Sequence, residues 1–238
     1  MTSLSPADAE RLTLAFQRCR DMPGTLKDQL DAYAAAGREI FPAYAEAVDR
    51  LVARIRKNGA AENAPRPGDL LPPFVLPDEM GRLVGLDSFL DKGPVAVMFY
   101  RGHWCPFCRL NIRAVIRAFD QIKASGGQVV AIMPEVQQFA RKFKSDSGAP
   151  FPVLTDLDNG YALSLNLAIW LGTEIKRLLS HQDMPNFHGN DGWLLPIPAT
   201  FVIGRDGRVK ARFVDPDFRK RMEIDDLIAA IESASRAN

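Results

Sequence analysis

The sequence predicts an α/β fold: a mixed central sheet flanked by helices, with an N-terminal helical extension. Three observations carry this. The opening stretch places apolar residues at helical spacing, a later stretch alternates short β-branched runs with helical segments, and an Asp-Gly pair closes the last two runs into a hairpin. In the extension, Leu12, Phe16 and Cys19, then Tyr44, Val48, Leu51, Val52 and Ile55, form one apolar face. Ser5-Pro6 starts a helix, because Ser caps and Pro is tolerated at the first helical position. Asn58-Gly59 ends one, and Pro65, Pro67 and Gly68 cannot continue it. The boundary is therefore placed near residue 65, giving a helical extension over 1–65 and an α/β domain over 66–238.

Within the domain, strands are expected at about 95–101, 128–133, 151–154, 199–204 and 208–214, and helices at about 106–124, 135–147, 158–179 and 223–235. Asp206-Gly207 makes the last two strands antiparallel. The polar segment 180–196 has no period and reads as a long loop, a feature that in compact domains is more often functional than idle.

Thirty Lys and Arg against twenty-nine Asp and Glu leave a net charge of +1, which gives no electrostatic footprint for nucleic acid or an anionic membrane. No apolar run approaches the roughly 20 residues that span a bilayer. Met1 to Asp8 lack a basic-then-apolar leader pattern. Three cysteines, two of them three positions apart, do not make a secreted disulfide framework. A cytoplasmic protein with neither membrane nor nucleic-acid partner is expected.

The chemistry concentrates at Trp104-Cys105-Pro106-Phe107-Cys108, where an apolar strand runs through Arg101-Gly102-His103 into a helix-forming segment. With Pro106 at the first helical position, Cys105 is the N-cap and its sulfur is placed to accept the N–H of Cys108. That bond and the helix dipole would draw a thiol of ordinary pKa about 8.5 toward neutral, which makes Cys105 the nucleophile at an accessible position. Residues three apart share a helix face at a spacing a disulfide accepts. Cys108, about one turn deeper, keeps the higher pKa and acts as resolving thiol. Half a zinc site is the competing reading, but Cys19, His103, His181 and His188 are not at finger-like spacing, so no metal or cofactor is expected.

Pro198, at the head of the run Ala199 to Ile203, is the candidate for a cis bond, against the plainer reading that Pro196 and Pro198 end a loop. Arg101, His103 and Arg109 could lower a thiolate pKa, although such residues are more often solvated surface charges. His181 and His188, with Asp183 and Asp191, are expected to be solvent-exposed rather than metal-binding. Cys19 reads as a small buried hydrophobe. The apolar face of the extension must be buried on the domain or on a second copy, and a homodimer is one way to do so.

The run Phe99-Tyr100-Arg101-Gly102-His103-Trp104-Cys105-Pro106-Phe107-Cys108 is joined by Pro67-Gly68-Asp69, by Pro73-Phe74-Val75-Leu76, and by Ile197-Pro198-Ala199-Thr200-Phe201-Val202-Ile203 leading to Asp206-Gly207. Over about residues 66–238 the chain resembles the peroxiredoxin-like branch of the alkyl hydroperoxide reductase/thiol-specific antioxidant (AhpC/TSA) family, in the thioredoxin-fold superfamily. The resemblance implies a thioredoxin-like fold with a cis-proline loop facing the cysteines. It also implies a hydroperoxide as oxidant and thioredoxin, glutaredoxin or glutathione as reductant. In the family's register Cys108 takes the peroxidatic position, while Cys105, Arg101 and Pro198 stand where its catalytic threonine, active-site proline and catalytic arginine would be. In a second register the motif is similar to thioredoxins and glutaredoxins, and there Cys105 attacks. Three functions follow: a thiol peroxidase, a dithiol-disulfide exchange enzyme on protein substrates, or a non-catalytic redox sensor. In the catalytic readings Cys105 and Cys108 react, and Trp104, Pro106, Pro198 and Arg101 surround the substrate.

Overall fold

The computed structural model describes residues 4–236; residues 1–3, where the leader reading begins, and 237–238 lie outside them. Ser5 caps the first helix, α1 (Pro6–Asp21), its hydroxyl accepting the Asp8 N–H at 3.1 Å with Pro6 at the first helical position. Pro23-Gly24 separates it from α2 (Leu26–Ile40). A capping box starts α2: the Thr25 side chain accepts the Asp28 N–H at 3.1 Å, and the Asp28 carboxylate accepts the Thr25 N–H at 2.9 Å. Pro42 opens α3 (Pro42–Lys57), which ends at Asn58 as its sequence predicts.

A hairpin of β1 (Val75–Pro77) and β2 (Leu83–Gly85) and the single turn α4 (Asp87–Leu90) follow, elements too short to show a period in the sequence. The main sheet is mixed, in the order β5-β4-β3-β8-β9. Strands β3 (Val95–Phe99), β4 (Gln128–Met133) and β5 (Val153–Thr155) run parallel, while β8 (Ala199–Ile203) and β9 (Val209–Val214) are antiparallel additions. Central β3 is buried along its whole length, and its pleat divides the core. Ala96, Met98 and Tyr100 face a cluster shared with α5 (Pro106–Arg117) and α11 (Ile224–Arg236), whereas Val95, Val97 and Phe99 face a second cluster with Phe74, Tyr161 and Phe201.

Several expected elements are interrupted. The helix read over 106–124 breaks at Ala118 (φ −94°, ψ 0°), leaving α5 and α6 (Phe119–Ala124), and α7 (Gln137–Ser147) follows β4. The helix read over 158–179 does not form, because Asp158, Asn159, Asn166 and Gly172 have φ of +61°, +58°, +58° and +89°. In its place are a 3-10 turn (Leu157–Asn159), α8 (Gly160–Ser164), β6 (Ala168–Trp170) and α9 (Thr173–Leu178). The segment read as a loop over 180–196 holds α10 (Met184–His188) and β7 (Leu194–Pro196), which pairs with β6. Nor is Pro198 cis: there is no cis peptide among the described residues. It lies just outside the ladder of β8, whose register with β3 ends at Met98 opposite Thr200, so the missing N–H requires no special turn.

The extension buries its apolar face on its own domain. Phe16, Cys19, Leu30, Val48, Leu51 and Ile55 belong to the same cluster as α5 and α11. Tyr33 of α2 meets Phe107 of α5 edge-on at 5.3 Å, and the ion pairs Arg50–Glu174 and Arg56–Asp215, each 2.8 Å, fasten the rim of α3. No described helix is long and apolar enough to cross a membrane.

Candidate active site

Strand β3 delivers the chain to a turn that only glycine can make. Gly102 has φ +144°, and a Cβ there would fall 2.5 Å from Trp104 Nε1 and 2.7 Å from Glu135 Oε1. Pro106 then begins α5 with Cys105 as its N-cap in extended conformation, as expected from the sequence. The capping bond from the Cys108 N–H to the Cys105 sulfur is not formed. The Cys105 sulfur turns instead to the Cys108 thiol.

Both cysteines are 0% exposed, which overturns the expectation of an accessible N-cap. The cover comes from the extension and from Phe107 and Phe218, whose rings meet edge-on at 5.7 Å. The Cys108 sulfur accepts two bonds of 3.4 Å, from the Arg101 backbone N–H and from Arg221 Nη2. Arg101 and Arg221 are 2% and 8% exposed, and among the described residues neither has a carboxylate partner. Arg101, which alternatively read as a solvated charge, lies 3.8 Å from the Phe218 ring centre and 5.0 Å from that of Trp104. Two buried guanidiniums without carboxylates need an anion, and a thiolate is the one within reach.

That requirement fixes the titration of the pair. Burial alone would push the Cys105 thiol up; the Cys108 thiol, then the Arg101 and Arg221 guanidiniums, outweigh it and bring it down to about 6. Cys108 moves the other way, raised by burial and by the neighbouring Cys105. One thiolate shared by the pair is therefore present at neutral pH.

Beside the turn, His103 donates its backbone N–H to Glu135 Oε2 at 2.8 Å and pairs its Nδ1 with Oε1 at 2.7 Å. Its ring stacks on Phe139 at 5.0 Å. Burial pushes the Glu135 carboxyl up, opposed by His103. His181 is exposed, as expected, but His188 is 3% exposed. The reason is α10, which turns His188 inward where a loop would leave it in solvent. Burial first, then Arg101 and His103, lower its pKa from 6.5 to about 4. The native ring is thus neutral, while the unfolded chain binds a proton below pH 6.5. Its contribution to stability is complete above that value and is lost as the pH falls toward 4, by up to roughly 3 kcal/mol. Urea unfolding at neutral and mildly acid pH is expected to show a smaller acid loss for His188→Gln than for the wild type.

Arg101, Trp104, Pro106 and Phe107 border a cavity of about 390 Å³ between the extension and the start of α5. Arg109, exposed, lies at the same cavity with its guanidinium 4.4 Å from the Phe16 ring centre. Pro198 is buried at the head of β8 and does not line it. The sequence did not single out Arg221, Glu135, Tyr33 or Phe218. Arg221 stands among Arg219 and Lys220 in an aperiodic stretch, and nothing local marks it as the cation that turns inward.

Residues 67–212, which include the strand-turn-helix that carries the two cysteines, match the AhpC/TSA family. The chain belongs to the AhpC/TSA family. Among AhpC/TSA relatives, chloroplastic peroxiredoxin Q of Sedum lineare is 33% identical over 107 residues, covering 45% of this chain and 56% of that protein. Peroxiredoxin Bcp of Escherichia coli K12 is 29% identical over 97 residues, covering 41% and 62% respectively. The match thus spans less than two thirds of either relative. Peroxidoxin BcpB from Mycobacterium tuberculosis shares the fold with a TM-score of 0.56 at 21% identity, over 71% of this chain and 97% of that one. The mixed sheet with cysteines at the helix start is the thioredoxin-like fold that the AhpC/TSA resemblance implies. The helices α1 to α3 lie outside the matched AhpC/TSA residues.

Proposed function

We propose that this chain is a thiol-dependent antioxidant oxidoreductase that reduces hydroperoxides through a Cys105–Cys108 dithiol-disulfide cycle. The observation that carries the reading is the pair of buried guanidiniums, Arg101 and Arg221, set against two cysteines with no carboxylate to neutralise them. The Cys105 thiolate attacks one peroxide oxygen, the O–O bond breaks, and the electron pair leaves on the alkoxide or hydroxide, which takes up a proton. Arg101 and Arg221 stabilise that departing charge, the role that resemblance gave to an arginine at the position of Pro198. Cys108 then attacks the sulfenic sulfur, water leaves and the disulfide closes. Two electrons from an external thiol restore the dithiol.

Complete burial of both sulfurs favours a small oxidant over a protein disulfide. A second assignment of roles, with Cys108 attacking as in the family's register, is favoured by the two donors on the Cys108 sulfur. The free thiols fit a reducing compartment such as the cytoplasm.

The test is stopped-flow oxidation of the reduced protein by hydrogen peroxide and by an organic hydroperoxide, followed through Trp104 fluorescence against free cysteine. A rate about a thousandfold above free cysteine is expected, and it should rise with pH through about 6, where the thiolate forms. A rate equal to that of free cysteine would remove the peroxidase reading.

A further inference from the structure

Beside the two guanidiniums without carboxylates, the same turn holds a carboxylate without a guanidinium. Glu135, just after β4, is 0% exposed, and among the described residues no lysine or arginine pairs with it. Its hydrogen bonds come from His103, through the backbone N–H at 2.8 Å and Nδ1 at 2.7 Å. The His103 side chain is 14% exposed, and its ring packs against Phe139 and Phe187 with centres 5.0 and 4.8 Å away. The pair therefore runs from the sealed interior to the surface. A carboxylate this deep without a cation is costly, so the pair is kept neutral by one shared proton. Its inner end lies at the reacting turn: a Cβ on Gly102 would fall 2.7 Å from Glu135 Oε1, and the Gly102 carbonyl accepts the Cys105 N–H at 3.2 Å. Burial raises the Glu135 carboxyl most, and the Cys105 thiolate adds to that rise. Around the pair stand Arg101 and Cys105 from the turn, His188 from α10, neutral down to about pH 4, and beyond Cys105 the Cys108 thiol and Arg221.

The cycle consumes a proton at this sealed place. A hydroperoxide takes two electrons and two protons to become an alcohol and water, whereas the Cys105 thiolate and the Cys108 thiol supply two electrons and one proton. We infer that the His103–Glu135 pair holds the second proton, gives it to the departing alkoxide or hydroxide at Cys105, and takes it back when the thiolate re-forms. The inference rests on the Cys105–Cys108 cycle proposed above. Charge favours the exchange. In the reduced protein the thiolate faces Arg101 and Arg221 and the pair is neutral. In the disulfide the thiolate is gone and the pair carries the negative charge in its place, so the buried site keeps one total charge throughout. Re-reduction by an external dithiol reverses this: its two electrons break the S–S bond, one of its protons goes to Cys108 and the other to the pair. His103 is the positioning residue, orienting the Glu135 carboxyl through both oxygens.

Two measurements on the full chain test the inference. In weakly buffered neutral solution with an indicator dye, oxidation of the reduced wild type by one equivalent of tert-butyl hydroperoxide is expected to draw no proton from solvent. Glu135→Gln, checked for native circular dichroism, is expected to draw one for each disulfide formed. In stopped flow, Glu135→Gln should slow oxidation by tert-butyl hydroperoxide about a hundredfold. Peracetic acid should react with the variant nearly as fast as with the wild type, because acetate leaves without needing a proton. A loss of structure alone would slow both oxidants together. The inference is overturned if Glu135→Gln slows both equally or neither, or if the wild type draws a proton from solvent, a count that needs no variant. If mass analysis of the oxidised wild type shows no loss of two hydrogens, the Cys105–Cys108 cycle fails and the inference with it. That result differs from a disulfide that forms with a solvent proton, which overturns the inference alone.

Discussion

Cys105→Ser is expected to lower hydroperoxide consumption by about a thousandfold or more, because it removes the proposed attacking sulfur and leaves Cys108 with no partner to close the disulfide. In the wild type the neighbouring Cys108 thiol is held protonated by burial and by Cys105. Cys108→Ser is expected to behave differently. The first oxidation still occurs at Cys105, but the sulfenic acid has no partner, so turnover stops after one equivalent and a dimedone adduct accumulates. Peroxide consumption together with mass analysis of the adduct reads both variants. The reverse pattern, with Cys108→Ser inert and Cys105→Ser forming the adduct, would transfer the attacking role to Cys108.

Phe107→Ala is expected to cost about 4 kcal/mol, near the upper range for core truncations. Phe107 sits between the two cysteines in sequence, is 7% exposed, and joins α5 to two other parts of the molecule: Tyr33 of the extension at 5.3 Å and Phe218, ahead of α11, at 5.7 Å, both edge-on. Removing the ring takes away these contacts and opens a void that backbone from two separate elements would have to fill. Urea unfolding measures the cost. Alkylation by a neutral reagent measures the second consequence, a faster reaction of Cys105 in the folded state. A stability unchanged from wild type would mean that the extension is held to the domain without this aromatic chain.

Much of this was legible in the residues themselves. Ser5 and Pro6 start α1, Asn58 ends α3, and Asp206-Gly207 turns β8 into β9. Pro106 fixes the helix start and leaves Cys105 as its N-cap. Each of these is a local choice, made by backbone preferences and hydrogen bonds within a few positions, so the sequence carries it directly. Where local preference was outvoted, the reading failed: the pattern over 158–179 is helical, yet the left-handed residues Asn159 and Asn166 break it so that β6 can pair with β7 some 26 residues away, Ala168 opposite Pro196 at one end and Trp170 opposite Leu194 at the other.

By itself, then, the sequence determined the α/β class, the helical extension and the placement of two cysteines at the start of a helix. The tertiary structure alone decided what surrounds those sulfurs. It folded the extension over them, turned His188 inward, and brought Arg221 across 113 positions to the Cys108 sulfur. A thiolate's environment is set by charges and excluded water within a few ångströms, and those come from segments whose separation in sequence has no relation to their distance in space.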